Sequence, residues 1–324
     1  MSAPIPLQAR VDDYLAERRR LGFALRDHDT LLADFATFVA GRQHDGPLTV
    51  ALMVDWVRRA KAGLGTPETW YRRMAKLRPF LRYLQQFEPQ TEIPEEAIFG
   101  PEPGRVAPHI YREEEIVALL HATAQLGPPG SLRAATFETL FGLMAATGLR
   151  VSEAIHLQDA DVDLKRAMLR VRESKCAKSR QLPLHPSTVE ALSRFRQRRQ
   201  RAVPTTDDTA FFTGSRGRGL GQPLGDRQVH RVFNRLRDHL NWPNRGAHAA
   251  PRLHDLRHTF AVRCLMGWHR EGADLDQRML ALSTYLGHTK IVHTYWYLSA
   301  VPELMALAGE KFERFAALGE ADDV

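Results

Sequence analysis

The sequence predicts a mainly α-helical chain in two parts, with one small β-hairpin in the second part. Three observations carry this. Apolar residues recur at the 3.6-residue period over most of the 324 residues. Five prolines (89, 94, 101, 103, 108) and two glycines interrupt the pattern over 88–108, which reads as an interdomain linker. Two short stretches, Met168 to Arg172 and Gln181 to Leu184, bracket the polar segment Ser174 to Arg180 and read as a hairpin with a basic tip.

The elements follow in order. Leu31, Leu32, Phe35, Phe38 and Val39 mark one face of a helix. Thr66-Pro67-Glu68 is a helix start: a capping hydroxyl, a proline tolerated in the first turn, then a carboxylate at the positive dipole end. In that helix Trp70, Met74, Leu77, Leu81 and Leu84 form the apolar stripe, leaving Arg72, Arg73 and Lys76 to face outward. Pro79 lies inside the pattern and should kink it. The second part opens at Tyr111, where Glu113-Glu114-Glu115 lead into Ile116, Leu119 and Leu120. A helix from about Leu132 should stop at Gly148. From Asp226 onward the chain is again mostly helical, ending in a stripe of Leu304, Leu307, Ala308, Phe312 and Phe315. The division expected is 1–104, with a linker from about 88, and 105–324.

Composition narrows the classes of function. The most apolar stretch, Thr139 to Leu149, is too short to span a bilayer, and the N-terminus has no secretory pattern. Cys176 and Cys264 make neither a disulfide framework nor a paired zinc motif, which fits a reducing cytoplasm. The net charge of +7 favours a polyanion as partner. All of that excess falls in 105–324, yet Trp56 to Arg82 holds eight basic residues (Arg58, Arg59, Lys61, Arg72, Arg73, Lys76, Arg78, Arg82) against Glu68 alone. This is a local basic face suited to nucleic acid, with Arg58, Arg59, Arg72, Arg73 and Lys76 as its contacts.

Four segments carry the chemistry: Thr147-Gly148-Leu149-Arg150-Val151-Ser152-Glu153, Ser174-Lys175-Cys176-Ala177-Lys178, His254-Asp255-Leu256-Arg257-His258, and Leu286-Gly287-His288 followed by Tyr297. Cleaving a phosphodiester concentrates negative charge on non-bridging oxygens, so a site needs fixed cations aimed there. Guanidinium groups suit this because they are planar, always charged and fork onto phosphate. Arg150 and Arg257 are the candidates. Glu153, three residues from Arg150, can pair with it and fix its rotamer. His254 shares a helical face with Arg257 and can move a proton near neutrality. His258 reads instead as a core histidine bonded to backbone. His288 follows a glycine and can donate to a phosphate oxygen. Tyr297 is a weak nucleophile at a phenol pKa of ~10 and needs those cations and a base beside it. Tyr295 is its rival, and Tyr295 and Trp296 read as packing.

In this order the segments resemble the tyrosine recombinases, the phage integrase family. The resemblance covers about 110–300 as catalytic domain and 1–104 as helical core-binding domain. It implies cleavage of one DNA strand at a time through a 3′-phosphotyrosyl bond. Arg150, Lys175, His254, Arg257, His288 and Tyr297 would be catalytic, with Glu153 supporting. The resemblance selects Tyr297 over Tyr295 and makes Lys175 the general acid for the departing 5′ oxygen. Lys178 would contact the DNA backbone. It further implies double-stranded DNA and other copies of the chain as partners, a tetramer on DNA, no metal, no nucleotide cofactor, no membrane, and a cytoplasmic, nucleoid-associated protein. The Tyr-Trp-Tyr ending suggests a transposon-carried member. The stretch from His254 to His288, with Gly267 to Gly272, is longer than in compact members. Three other readings remain: a type IB topoisomerase, a catalytically silent DNA-binding module, and a zinc hydrolase in which His254 and His258 are ligands of a motif like H-E-x-x-H.

Overall fold

The computed structural model describes residues 6–300 apart from 24, 45, 60–64 and 175–177, together with 305 and 309. The chain divides into two compact units, 1–105 and 106–324. Among the described residues no helix is long and apolar enough to cross a membrane.

The first unit consists of α1 (Leu7–Arg20), α2 (Arg26–Gly41), α3 (Val50–Arg58) and α4 (Pro67–Leu84). One core joins them, with Val11, Tyr14, Leu32, Phe35, Met53, Trp56, Met74, Leu77, Phe80 and Leu84 fully or almost fully buried. Edge-on ring pairs, Phe35 with Trp56 and Tyr14 with Phe80, lock helices that propensity alone would leave marginal. Thr66 caps α4 as expected, its hydroxyl 3.3 Å from the Thr69 amide. Pro79 does not end α4, which runs on to Leu84; the flanking Leu77, Phe80 and Leu81 are completely buried and hold the turns on either side of it.

Three expectations for this unit are corrected. The segment from 88 is not a free linker, because Arg78 donates to the carbonyls of Pro94 (3.1 Å), Glu95 (2.6 Å) and Glu96 (2.9 Å) and fixes it to α4. Arg78 is therefore an internal brace and not part of the basic face. Arg73 also does not simply face outward. Its guanidinium lies 4.3 Å from the centre of the Trp56 ring and pairs with Asp34 at 3.1 Å. Lys76 sits 3.8 Å from Asp27. Arg58, Arg59 and Arg72 remain exposed.

The second unit comprises α5 (Glu113–Ala122), α6 (Leu132–Thr147), α7 (Val151–Ile155), strands β1 (Val162–Asp163), β2 (Met168–Ser174) and β3 (Lys178–Pro183), then α8 (Pro186–Ala202), α9 (Asp226–Leu240), α10 (Asp255–Arg270), α11 (Leu275–Leu286) and α12 (Val292–Ala300). The strands form an antiparallel sheet in the order β1-β2-β3, with Leu169 opposite Leu182 and Val171 opposite Arg180. Leu169, Val171 and Leu182 are buried, so one face of the hairpin closes the core. The fold is thus mainly α with a small β-sheet, as the sequence predicts.

Helix α6 runs through the middle of this core, with Phe137, Leu140, Phe141, Leu143 and Met144 all buried. It ends at Gly148, which takes φ 63° and donates its amide to Met144. A side chain there would strike the Phe260 ring at 2.6 Å, so both backbone conformation and space require glycine. A smaller core of Ala261, Val262, Leu265, Met279, Leu282, Leu286 and Tyr297 joins α10, α11 and α12. The apolar stripe expected at 304–315 and the hairpin tip with Lys175 lie outside the described residues.

Candidate active site

The stop at Gly148 is what positions the first guanidinium. Directly after it, Arg150 begins α7, and Glu153 accepts both the Arg150 backbone amide (3.0 Å) and its side chain (2.8 Å). Arg257 projects from the first turn of α10 and is 2% exposed. One of its nitrogens donates to the Gly148 carbonyl at 2.8 Å and another to the Leu286 carbonyl at 2.6 Å. Gly287 ends α11 at φ 67°, and its carbonyl accepts from Arg150 at 3.4 Å. Segments more than a hundred residues apart therefore meet at two helix ends, where free carbonyls receive the arginines.

A third arginine, Arg180, completes the arrangement. It comes from β3, donates to Tyr285 O at 2.7 Å, and forks onto both oxygens of Glu153 at 3.0 and 2.9 Å. Burial alone would raise the Glu153 pKa. The hydrogen bonds and charge of Arg180, joined by those of Arg150, outweigh this and hold the carboxyl below its ordinary value. The carboxylate form is thus favoured, and it backs two cations. Neither Arg180 nor this role was singled out from the sequence. The signal was present, since Arg180, two residues before Leu182, must share the inward face of β3.

Arg257 feels the whole cluster. Its burial, followed by the field of Arg150, lowers its pKa to about 10, with Tyr297 and Glu153 acting in the opposite direction. It stays charged at neutral pH. Excess positive charge in a largely buried cluster is an environment that favours an incoming anion.

Tyr297, on α12, is 2% exposed, and its hydroxyl lies 3.0 Å from Nδ1 of His258. The expectation of a backbone-bonded His258 is overturned: α10 places His258 one residue beyond Arg257, on the side where α12 packs. The expectation that Tyr295 is packing is also overturned. It is 37% exposed and its hydroxyl donates to Asp276 at 3.3 Å. Trp296 does pack, its ring edge-on to His258 at 5.7 Å. His254 meets the His258 ring at 4.9 Å. Burial, then Arg257 and Arg252, lower the His254 pKa to about 4. His288 donates its backbone amide to Ser283 at 2.9 Å, while its Nδ1 lies 2.7 Å from the Thr294 hydroxyl. Lys175 lies outside the described residues, as does the side chain of Lys178.

His254-Asp255-Leu256-Arg257-His258 is not arranged as a zinc motif. Asp255 is bound by the Arg252 side chain at 2.8 Å, and His258 is turned to Tyr297. Among the described residues no group of three or more His, Cys, Asp or Glu could hold a metal ion. What the arrangement can do is receive a phosphodiester against Arg150 and Arg257, with a phenol oxygen beside it.

Helical architecture, a three-stranded sheet and a buried phenol hydroxyl near guanidinium groups together fit a protein of the phosphoryl-transfer class. The Phage integrase family profile matches residues 110–303. Over 94% of its length the chain is 36% identical to a Sinorhizobium fredii protein described as the integrase/recombinase y4rB, covering 96% of that protein. It is 30% identical over 87% of its length to the tyrosine recombinase XerC of Pelobacter propionicus, covering 86% of it. Two solved structures share the fold at 17% identity. The XerH site-specific recombinase in a post-cleavage complex has a TM-score of 0.63, with 87% of this chain and 78% of that one covered. The Tn1549 transposon integrase in complex with transposon right end DNA has a TM-score of 0.63, with 95% and 99% covered. The chain belongs to the phage integrase family, the tyrosine recombinases. Its activity is site-specific DNA recombination, the transfer of DNA strands.

Proposed function

We propose that Tyr297 is the nucleophile, attacking the scissile phosphorus to give a 3′-phosphotyrosyl link, with Arg150 and Arg257 holding the non-bridging oxygens. Glu153 positions Arg150, and His254 and His288 assist with proton transfer and phosphate contacts, roles that rest on the resemblance. Lys175 is the general acid for the departing 5′ oxygen, a role that rests on the resemblance. A 5′ hydroxyl from another DNA end then attacks the phosphotyrosine in reverse. The covalent bond conserves the energy of the broken phosphodiester, so no nucleotide cofactor is needed. The observation that carries this reading is the buried Tyr297 hydroxyl facing α10, one residue from a buried guanidinium.

The unit of residues 1–105 serves as the core-binding domain, with Arg58, Arg59 and Arg72 as its phosphate contacts, and Lys178 contacts the backbone from the catalytic unit. The chain works on double-stranded DNA as a tetramer of identical copies, in the cytoplasm with the nucleoid. Its task is integration or transposition of a mobile element, a reading supported by the 36% identity to the Sinorhizobium fredii integrase/recombinase y4rB.

A nicked suicide duplex, from which the 5′ fragment diffuses away, tests the core of this. Wild-type and Tyr295→Phe proteins trap a covalent adduct on denaturing gels and Tyr297→Phe traps none. An adduct formed by Tyr297→Phe overturns the assignment.

A further inference from the structure

We propose that His258 is itself a catalytic residue, the group that receives the Tyr297 phenol proton during cleavage and returns it on resealing. The inference rests on Tyr297 being the nucleophile. It differs from the sequence reading, which gave proton transfer to His254.

Geometry supports it first. His258 Nδ1 stands 3.0 Å from the phenol oxygen, within direct transfer distance. Tyr297 is nearly excluded from solvent, so bulk water is poorly placed to take the proton. The His258 ring is held edge-on by His254 at 4.9 Å, Trp296 at 5.7 Å and Tyr297 at 5.6 Å. It therefore has little freedom to turn away. His254 reaches the same ring and is placed to steady it.

The charged surroundings explain how transfer is coupled to substrate. His254 and Arg257 on the same helix end, Arg252 before it and His248 in the preceding loop all face His258. Burial first, and then these groups, push its pKa down to about 2. At neutral pH the ring is neutral, and with its proton on Nε2 the Nδ1 lone pair accepts the phenol hydroxyl. As a base in the empty site it is weak. A bound phosphodiester brings a negative charge against Arg257 and offsets the cations that weaken it, so the imidazole becomes basic when there is DNA to cleave.

The step balances. The Tyr297 Oη–P bond forms and the P–O5′ bond breaks; the phenol proton moves to His258 Nδ1, and the 5′ oxygen takes a proton from its own acid. Resealing reverses each transfer, and His258 then protonates the leaving phenolate.

The test uses full-length His258→Asn and His258→Ala in single-turnover cleavage of the nicked suicide duplex. Asn can hold an acceptor where Nδ1 stands but cannot take a proton. Each substrate is made with an ordinary phosphodiester and with a 5′-bridging phosphorothiolate, whose sulfur leaves without an acid. Both variants should bind DNA as wild type does and cleave ~10²–10⁴-fold more slowly. The phosphorothiolate should not restore them, and their rates should climb with pH as hydroxide replaces the missing base. Three results would overturn the proposal: His258→Asn cleaving at the wild-type rate, full rescue by the phosphorothiolate, or a defect that only follows lost DNA affinity. Failure of wild type to form any Tyr297-dependent adduct would instead remove the nucleophile assignment beneath it.

Discussion

Arg180 grips both carboxylate oxygens of Glu153 from the neighbouring strand, at 3.0 and 2.9 Å, while Arg150 holds one of the same oxygens at 2.8 Å. The carboxylate is shared, so the rotamer of Arg150 depends on a side chain thirty residues away on the hairpin.

Replacing Arg180 should therefore damage catalysis without touching DNA. In Arg180→Lys the ammonium cannot reach two carboxylate oxygens and the Tyr285 carbonyl together. Arg150 then shares a less constrained anion, and a shift of about 1 Å in a positioning group costs on the order of a hundredfold in rate. Glu153→Gln should give a loss of similar size. Single-turnover cleavage at saturating DNA would report it, with the Kd within about twofold of wild type. An unchanged rate in Arg180→Lys would mean that Glu153 fixes Arg150 without help from Arg180.

The basic face of the first unit is smaller than its charge count suggests, and salt dependence separates its members. Arg58→Ala, Arg59→Ala and Arg72→Ala each remove an exposed cation and should lower the slope of log affinity against log salt by about 1 where a phosphate contact is lost. Arg78→Ala should leave that slope alone. It strands three backbone carbonyls instead, at a cost of roughly 1–3 kcal/mol for each that stays unsatisfied, visible as a lower Tm.

Much of this was legible in the sequence, for local reasons. Helix caps and stops depend on a few adjacent residues, so Thr66 and Gly148 could be placed to the residue. The site motifs could be found because each is short and its spacing is distinctive. What could not be read depends on which distant groups face one another. Arg78, Arg199 and Arg257 are all buried arginines, yet Arg78 braces the segment from Pro94 to Glu96, Arg199 serves the carbonyls of Ala210 and Phe211 and the carboxylate of Asp159, and Arg257 serves the carbonyls of Gly148 and Leu286 in the field of Tyr297. Composition cannot distinguish these three. The role of His258 was hidden for the same reason, because it requires α12 to return onto α10. Tyr295 and Tyr297 differ only in which side of α12 they occupy.

Two histidines buried in neutral form make the catalytic unit sensitive to acid. The unfolded chain binds a proton at each near pH 6.5, whereas His254 does so in the folded state only near 4 and His258 only near 2. The unfolded state thus carries more protons below pH 6.5, and stability falls as pH drops, by up to about 1.4 kcal/mol per pH unit for each histidine. Glu153 adds to the loss at lower pH, since its carboxyl is held below the ordinary value in the folded state. Melting temperatures between pH 7.5 and 5 should decline, and His258→Asn should flatten the decline. A Tm that stays level over this range would show that the imidazoles are not kept neutral.

Gly287 offers a substitution that adds one carbon and nothing else. Its φ of 67° strains any other residue by roughly 1–2 kcal/mol. A Cβ there would also sit 2.9 Å from Arg180 Nη1 and 3.2 Å from its Cζ, so the guanidinium must leave Glu153 or α11 must end differently. Either adjustment moves the carbonyls that hold Arg150 and Arg257. Gly287→Ala should accordingly lose cleavage by a factor similar to Arg180→Lys while also melting lower. Gly267→Ala is the control. That glycine is helical, with open space where the Cβ would go, and alanine should stabilise it by roughly 0.5–1 kcal/mol. If Gly287→Ala cleaves at the wild-type rate, the contact between the end of α11 and Arg180 has no part in the reaction.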